Sequence, residues 1–159
     1  MKKIRLEDLS VGDWVNVSWE IANSNDYAPP KPCVVKGVVD NGGGCYDVFM
    51  ATDKSSGELI GSADLSRITP ISITSEILKA NGFSCVEVGD KGPATPKAHY
   101  MRYERWECQY EWQRVRIMFD RMTKRYMVSG LQTSFVEVHR FQHLLRLFGV
   151  EKEIVLPIE

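Results

Sequence analysis

A strict two-residue alternation in the C-terminal half constrains the fold of this chain more than any other feature. Apolar and mostly basic side chains take turns along the run Arg114, Val115, Arg116, Ile117, Met118, Phe119. Because successive side chains of a β-strand point to opposite faces, the run predicts a strand with one apolar and one largely basic face. The turn-like segment 120–124 and the β-rich segment 125–128 then predict an antiparallel return strand.

The first 73 residues contain short β-rich segments separated by turn-forming residues. The clearest turn is Asn41-Gly42-Gly43-Gly44, because glycine adopts the positive φ that tight hairpin connections need. Short strands at this spacing are typical of a small barrel, and Val11-Gly12-Asp13-Trp14-Val15 resembles the first strand of SH3-like barrels. The predicted elements are strands at 14–19, 33–39, 45–50 and 58–61, a one-turn helix at 63–68, and a last strand with Ile71 and Ile73.

Two helices are predicted in the remaining chain. The first begins after Thr74, which is a suitable N-cap, and ends near Asn81. For the second, Ser134 and Glu137 match the S-x-x-E capping box. Apolar residues recur at helical spacing after this box, and Gly149 ends the helix.

With a closing strand at 153–156, these elements predict an α+β protein. An N-terminal SH3-like small β-barrel at residues 1–73 is followed by an antiparallel sheet with two helices at residues 74–159. We expect the helices to pack on the apolar face of that sheet, and the boundary at Ile73/Thr74 has no flexible linker.

Composition and charge argue against several classes of protein. The formal net charge is -1, so no overall field attracts nucleic acid or an anionic membrane. No run of about 18 apolar residues is present, so no transmembrane helix is expected. The opening residues do not match a signal peptide, since Glu7 and Asp8 interrupt any apolar region. These features predict a cytoplasmic protein.

The four cysteines form no C-x-x-C pair, so we expect free thiols in a reducing compartment. Cys33, Cys45 and Cys85 lie in apolar segments and are expected to pack as small hydrophobic residues. The sequence also contains no G-x-S-x-G elbow, and the glycines at 42–44 lack the Lys-Ser/Thr of a phosphate loop. No catalytic residue and no cofactor is predicted.

Three segments resemble a family of small proteins encoded by gut Bacteroidales and by their phages and mobile elements. They are Leu9–Val15, Ile73–Phe83 and His143–Ile154, which together cover roughly a fifth of the chain. The family has no established activity, so the resemblance supplies no catalytic residues. It implies a bacterial or phage cytoplasmic setting and an order of β-barrel, helix, β-strands and helix.

Two histidines give the weak metal-site candidate of the sequence. His139 and His143 lie four residues apart and therefore on one face of the predicted helix. A zincin motif needs H-E-x-x-H, in which the glutamate is the general base, but Arg140 stands at the glutamate position. We therefore predict no metal site, and a metal-dependent enzyme centred on these histidines is the least favoured hypothesis.

The segment 97–125 combines arginines with aromatic residues. This composition suits phosphate contacts and base stacking, and equally a protein interface, where Arg, Tyr and Trp are enriched. A solvated mixed-charge sheet face is the third interpretation, because Glu104, Glu107 and Glu111 are interleaved with the arginines. The candidate binding residues are Arg102, Arg105, Trp106, Trp112, Arg114 and Arg116.

The leading functional hypothesis is a non-enzymatic interaction module that binds a protein partner, with nucleic-acid binding as the alternative. The protein-binding hypothesis uses the barrel rim and the arginine- and aromatic-rich sheet, and the nucleic-acid alternative uses that sheet. Nothing in the sequence indicates membrane binding.

Overall fold

The computed structural model describes residues 4–20, 26–52, 58–91, 101–111, 113–128, 134–151 and 153–157. The fold is α+β, and the described strands pair antiparallel in two sheets accompanied by two helices. The chain divides into two compact units, one of residues 1–72 and 137–143, the other of residues 73–136 and 144–159. The predicted domains 1–73 and 74–159 stay a prediction.

The first unit contains a sheet of five strands in the order β4-β3-β2-β1-β5. Between β4 and β5 lies a single 3-10 turn, in which the Asp64 carboxylate accepts a hydrogen bond from Ser66 N. The strands are β1 (Trp14–Val17), β2 (Lys31–Asp40), β3 (Tyr46–Ala51), β4 (Gly61–Asp64) and β5 (Ile68–Pro70).

The predicted hairpin turn is confirmed, since Asn41 N bonds Cys45 O and the glycines between them have positive φ. The predicted closed barrel is not confirmed, because the sheet is not closed. The strand predicted at 58–61 begins only at Gly61, and the last strand ends at Pro70, before Ile71. The 3-10 turn Leu65–Arg67 lies within the one-turn helix predicted at 63–68.

The second unit contains helix α1 (Ser75–Ala80) and a sheet in the order β10-β9-β8-β7-β6. Thr74 Oγ1 caps α1 by accepting from Ile77 N, as predicted. The strands are β6 (Ser84–Lys91), β7 (Met101–Tyr110), β8 (Gln113–Asp120), β9 (Arg125–Val128) and β10 (Ser134–Phe135). The apolar side of the β8 alternation is buried at Val115 and Ile117, which confirms the predicted sheet face.

Helix α2 (Val138–Leu147) begins later than its sequence signals suggest. The predicted capping box is wrong, because Ser134 belongs to β10 and pairs with Met127 of β9. The predicted closing strand at 153–156 is also absent from the described residues. Val155 instead forms backbone hydrogen bonds with the side-chain amide of buried Asn81, at 2.8 Å for both its N–H and its C=O.

Candidate functional site

One face of the second sheet carries a cluster of four charged residues on two neighbouring strands. Arg105 and Glu107 come from β7, and Arg114 and Arg116 from β8. Antiparallel register places Glu107 directly opposite Arg116, and strand alternation gives all four the same face. We call these four residues the arginine face.

The Glu107 carboxylate is the centre of the arginine face. Its oxygens lie 3.2 Å from Arg116 Nε, 3.4 Å from Arg105 Nε and 3.7 Å from Arg114 Nη1. The Glu107 side chain is only 16% exposed, whereas those of the arginines are 43–57% exposed. The guanidinium groups therefore cover one carboxylate, while the arginine side chains remain about half exposed.

Arg105 has a second acidic partner on the edge strand β6. Arg105 Nη1 lies 2.9 Å from a Glu87 carboxylate oxygen, and Glu87 also accepts a hydrogen bond from the Tyr103 hydroxyl. This hydrogen bond raises the pKa of Tyr103, because it is strongest to the protonated phenol. Arg105 Nε is buried and forms no aligned hydrogen bond with the described residues. A Glu107 oxygen at 3.4 Å is nevertheless close enough for charge attraction.

Two methionines continue the same face beside the charged cluster. Met118 lies opposite Arg105 on one side and opposite Met127 of β9 on the other. Both are partly exposed. Methionine is a flexible, polarisable apolar side chain, so the arginine face borders a patch that adapts to an apolar contact.

Three of the six predicted binding residues meet on this face, namely Arg105, Arg114 and Arg116. Arg102 lies on the opposite face by strand alternation and pairs with Asp90 at 3.7 Å. Trp106 is buried on that same opposite face, where its Nε1 lies 3.2 Å from Glu104. Trp112 lies outside the described residues.

Sequence reasoning treated Glu107 as one of several interleaved acids and did not single out its central position. The cross-strand ion pairs expected from that interleaving are confirmed, but only the register of β7 with β8 selects Glu107 over Glu104. Met118 and Met127 were also missed. The alternation of residues 114–119 already placed Met118 with the arginines, so this signal was available.

The two histidines of α2 occupy different surroundings. His139 is buried, burial lowers its pKa, and its Nδ1 has no hydrogen-bond partner among the described residues. His143 Nε2 lies 2.8 Å from Oδ2 of Asp13, which is fully buried. No cluster of three His, Cys, Asp or Glu side chains suited to a metal occurs within the described part of the chain.

The neighbouring polar residues of α2 also make structural contacts. Gln142 accepts a hydrogen bond from Trp14 N at 2.9 Å and donates one to Gly12 O at 3.1 Å. Arg140 Nη2 lies 3.3 Å from the Asp8 carboxylate. The polar side of α2 therefore fixes the chain that leads into β1.

The cysteines are all free, and the distribution between core and surface only partly matches the prediction. Cys33 is buried, whereas Cys45 and Cys85 are exposed, so the expected packing of the latter two is wrong. Cys45 follows the glycine turn directly, and Cys85 lies on the edge strand β6, so neither has a neighbouring strand on both sides.

A cavity of about 560 Å³ in the second unit is lined in part by one tyrosine and two glutamates. The Tyr110 hydroxyl, the one phenol among its described lining residues, donates to Asn81 O, and burial raises its pKa. Carboxylates at Glu111 and Glu151 are the ionisable groups that remain along its described lining.

No similarity to a known protein bears on the role of the arginine face. Among the described helices, none is long and apolar enough to cross a membrane. The chain matches no protein-family model, no curated protein and no solved structure.

Proposed function

We propose that this protein is a non-enzymatic interaction module of a bacterial or phage system, and that it binds an acidic protein partner through the arginine face. The observation that carries the proposal is the convergence of Arg105, Arg114 and Arg116 on one carboxylate. Arginine is over-represented at interfaces because its planar guanidinium donates several hydrogen bonds in fixed directions.

Charge complementarity selects the chemistry of the partner. The arginine face has a formal charge of +2, from three arginines less Glu107, and Glu87 beside Arg105 reduces the local charge to +1. A partner that carries carboxylates would complement this charge. Met118 and Met127 add an apolar border on the same face, and such a mixture is common at the centre and rim of protein interfaces.

Nucleic acid is the less favoured ligand for this face. Single-stranded recognition uses exposed aromatic rings on which bases stack. Of the predicted stacking residues that the structure describes, Trp106 is buried on the other face.

The test compares two labelled probes by fluorescence polarisation at low and moderate salt. One probe is a glutamate-rich peptide and the other a single- or double-stranded oligonucleotide. We expect the peptide to bind, and the double variant Arg114→Ala plus Arg116→Ala to weaken binding at least about tenfold, which is 1.4 kcal/mol. Tighter, steeply salt-dependent binding of the oligonucleotide would instead support the nucleic-acid alternative.

The matched control is Arg102→Ala plus Arg121→Ala. These arginines are 58% and 50% exposed, and their partners are Asp90 and Glu104. The control removes the same charge from the same unit, but Arg102 lies on the opposite face and Arg121, in the turn after β8, contacts Glu104 of that face. If both double variants weaken peptide binding equally, the effect comes from net charge and not from the arginine face, and the proposal is wrong.

Two further features of the sequence analysis are kept as proposals. An SH3-like arrangement of the first unit is supported by the 3-10 turn between β4 and β5 and by the return of β5 to pair with β1. A cytoplasmic location is supported by the free cysteines, which suit a reducing compartment. Neither feature identifies a function, because one fold serves many activities.

A further inference from the structure

We infer that the arginine face is a phosphate-binding site for a phosphorylated side chain of the partner, and that Glu107 occupies this site in the absence of a ligand. The inference rests on the proposed function and specifies the group that is recognised. Its basis is the arrangement of Arg105, Arg114 and Arg116 around one oxyanion of the protein itself.

The position of Glu107 shows that the three guanidinium groups can contact a single oxyanion. Two of its contacts use the Nε atoms of Arg105 and Arg116, and Nη1 of Arg105 is paired with Glu87 at 2.9 Å. The side chains of the arginines are about half exposed, so a ligand can reach them from solvent. Clusters of arginines of this kind are a common way to recognise phosphorylated motifs.

Competition with Glu107 favours phosphate over carboxylate. Glu107 is tethered beside the arginines, so its effective concentration is high and an external carboxylate of equal charge gains little by replacing it. A phosphomonoester has three acceptor oxygens and a charge close to -2 at neutral pH. It can therefore form hydrogen bonds with more than one guanidinium group at once, which a carboxylate with two oxygens does less well.

The local charge also matches a dianion. When Glu107 withdraws, Arg105, Arg114 and Arg116 remain with Glu87, so the formal charge is three positive less one negative, or +2. Arg105 Nε has no aligned hydrogen bond within the described residues, so it can donate to a phosphate oxygen that takes the place of the Glu107 carboxylate. A phosphodiester carries a single charge, so nucleic acid satisfies this site less completely.

The experiment uses the full chain and titrates the blocked amino acid phosphoserine, with blocked glutamate as the comparison. Binding is followed by NMR through the side-chain Nε–H signals of the arginines. We expect phosphoserine to shift the signals of Arg105 and Arg116 and to bind at least about tenfold more tightly than glutamate. The affinity is expected to decrease between pH 7 and pH 5, because the phosphate loses its second charge near pH 6.

The decisive variant is Glu107→Gln, which removes the competing charge but keeps the size of the side chain. We expect it to increase the affinity for phosphoserine about tenfold. The matched control is Glu104→Gln, since Glu104 also contacts an arginine, Arg121 at 3.6 Å, but lies on the opposite face. This control should leave the affinity unchanged, and the spectra of both variants show directly whether they are folded.

An unchanged or weaker affinity in Glu107→Gln would overturn the inference, as would equal binding of phosphoserine and glutamate. Arginine-dependent binding of the acidic peptide without phosphoserine binding would remove the inference and leave the proposed function standing. If neither ligand binds through the arginines, both fail. Stronger binding of a phosphodiester than of phosphoserine would replace the inference with nucleic-acid recognition.

Discussion

Each unit contains a carboxylate with basic neighbours, Asp13 in the first and Glu107 in the second. The two sites differ in the burial of the carboxylate and in the exposure of its neighbours. In the first unit, the Asp13 carboxylate is fully buried and accepts hydrogen bonds at 2.8 Å from Ser10 N and from His143. In the second unit, the Glu107 carboxylate has three arginine neighbours at 3.2–3.7 Å, and their side chains remain about half exposed. The Asp13 carboxylate is thus bonded within the protein core, whereas the arginines around Glu107 can still donate hydrogen bonds to a ligand.

The same residue types can therefore form either a structural cluster or a binding site, and residue type alone does not distinguish the two. The physical distinction is the cost of removing one member. A buried group that loses its partner suffers the full desolvation penalty, whereas an exposed ion pair is largely replaced by water. The four predictions below use that cost, from the largest expected change in unfolding free energy to the smallest.

The largest loss of stability is expected for Asp13→Ala. The substitution removes a fully buried carboxylate and leaves Ser10 N and the partly buried His143 ring without their acceptor, so we expect a loss of about 3 kcal/mol. Urea denaturation measures it, with exposed Asp90→Ala as the control, which should change stability by less than about 0.5 kcal/mol. Equal effects of the two substitutions would show that Asp13 is not a structural anchor.

Gln142→Leu is expected to cost somewhat less, about 2 kcal/mol, because two backbone groups lose a neutral partner. The Trp14 N–H and the Gly12 carbonyl both bond to the Gln142 amide, which is almost completely buried. Thermal unfolding measures the change, and Gln109→Leu provides a control at an exposed strand position. A Gln142 variant as stable as the control would contradict a structural role for this side of α2.

Only the β8 half of the arginine face could be predicted from the sequence. The alternation of residues 114–119 fixes which side of β8 carries Arg114 and Arg116, because a strand has one side-chain period. Arg102 was grouped with these arginines by composition alone, and strand alternation places it on the opposite face. On strand β7, Glu104 lies on the same face as buried Trp106, so the apolar alternation is interrupted there. The sequence therefore does not show which residues of β7 lie on which face of the sheet.

Contacts between distant residues could not be predicted at all. Asp13 and His143 are 130 positions apart, and no local pattern in either segment announces their pairing. The wrong capping box has a related cause, because Ser134 pairs with Met127 of β9 and so does not cap the helix. A local signal such as S-x-x-E specifies a helix start only when no strand competes for the same residue.

A third prediction concerns pH and again separates buried from exposed charge. Burial lowers the pKa of His139 from the ordinary value of 6.5, with smaller opposing effects from Asp13 and Glu137. The unfolded chain therefore binds a proton more readily than the folded protein, so stability should increase with pH and the contribution of His139 should be lost as pH decreases below about 6.5. The effect is expected to be smaller than for Gln142→Leu, because no hydrogen bond is removed.

His139→Gln provides the comparison, since it cannot titrate and leaves His143 in place. Unfolding free energies at pH 5, 6 and 8 should decrease less steeply on acidification in the variant than in the original protein. Identical slopes would show that His139 is not responsible for the acid sensitivity.

The smallest change in stability, and the sharpest test of the comparison, is expected for Arg114→Ala plus Arg116→Ala. Both side chains are more than half exposed, so solvent screening should hold the change to about 0.5 kcal/mol for each residue. Peptide binding in the same variant should nevertheless decrease at least about tenfold, because the donors directed at the partner are lost. A loss of stability comparable to that of Asp13→Ala would mean that the arginines hold the sheet together, and the contrast between the two clusters would then be wrong.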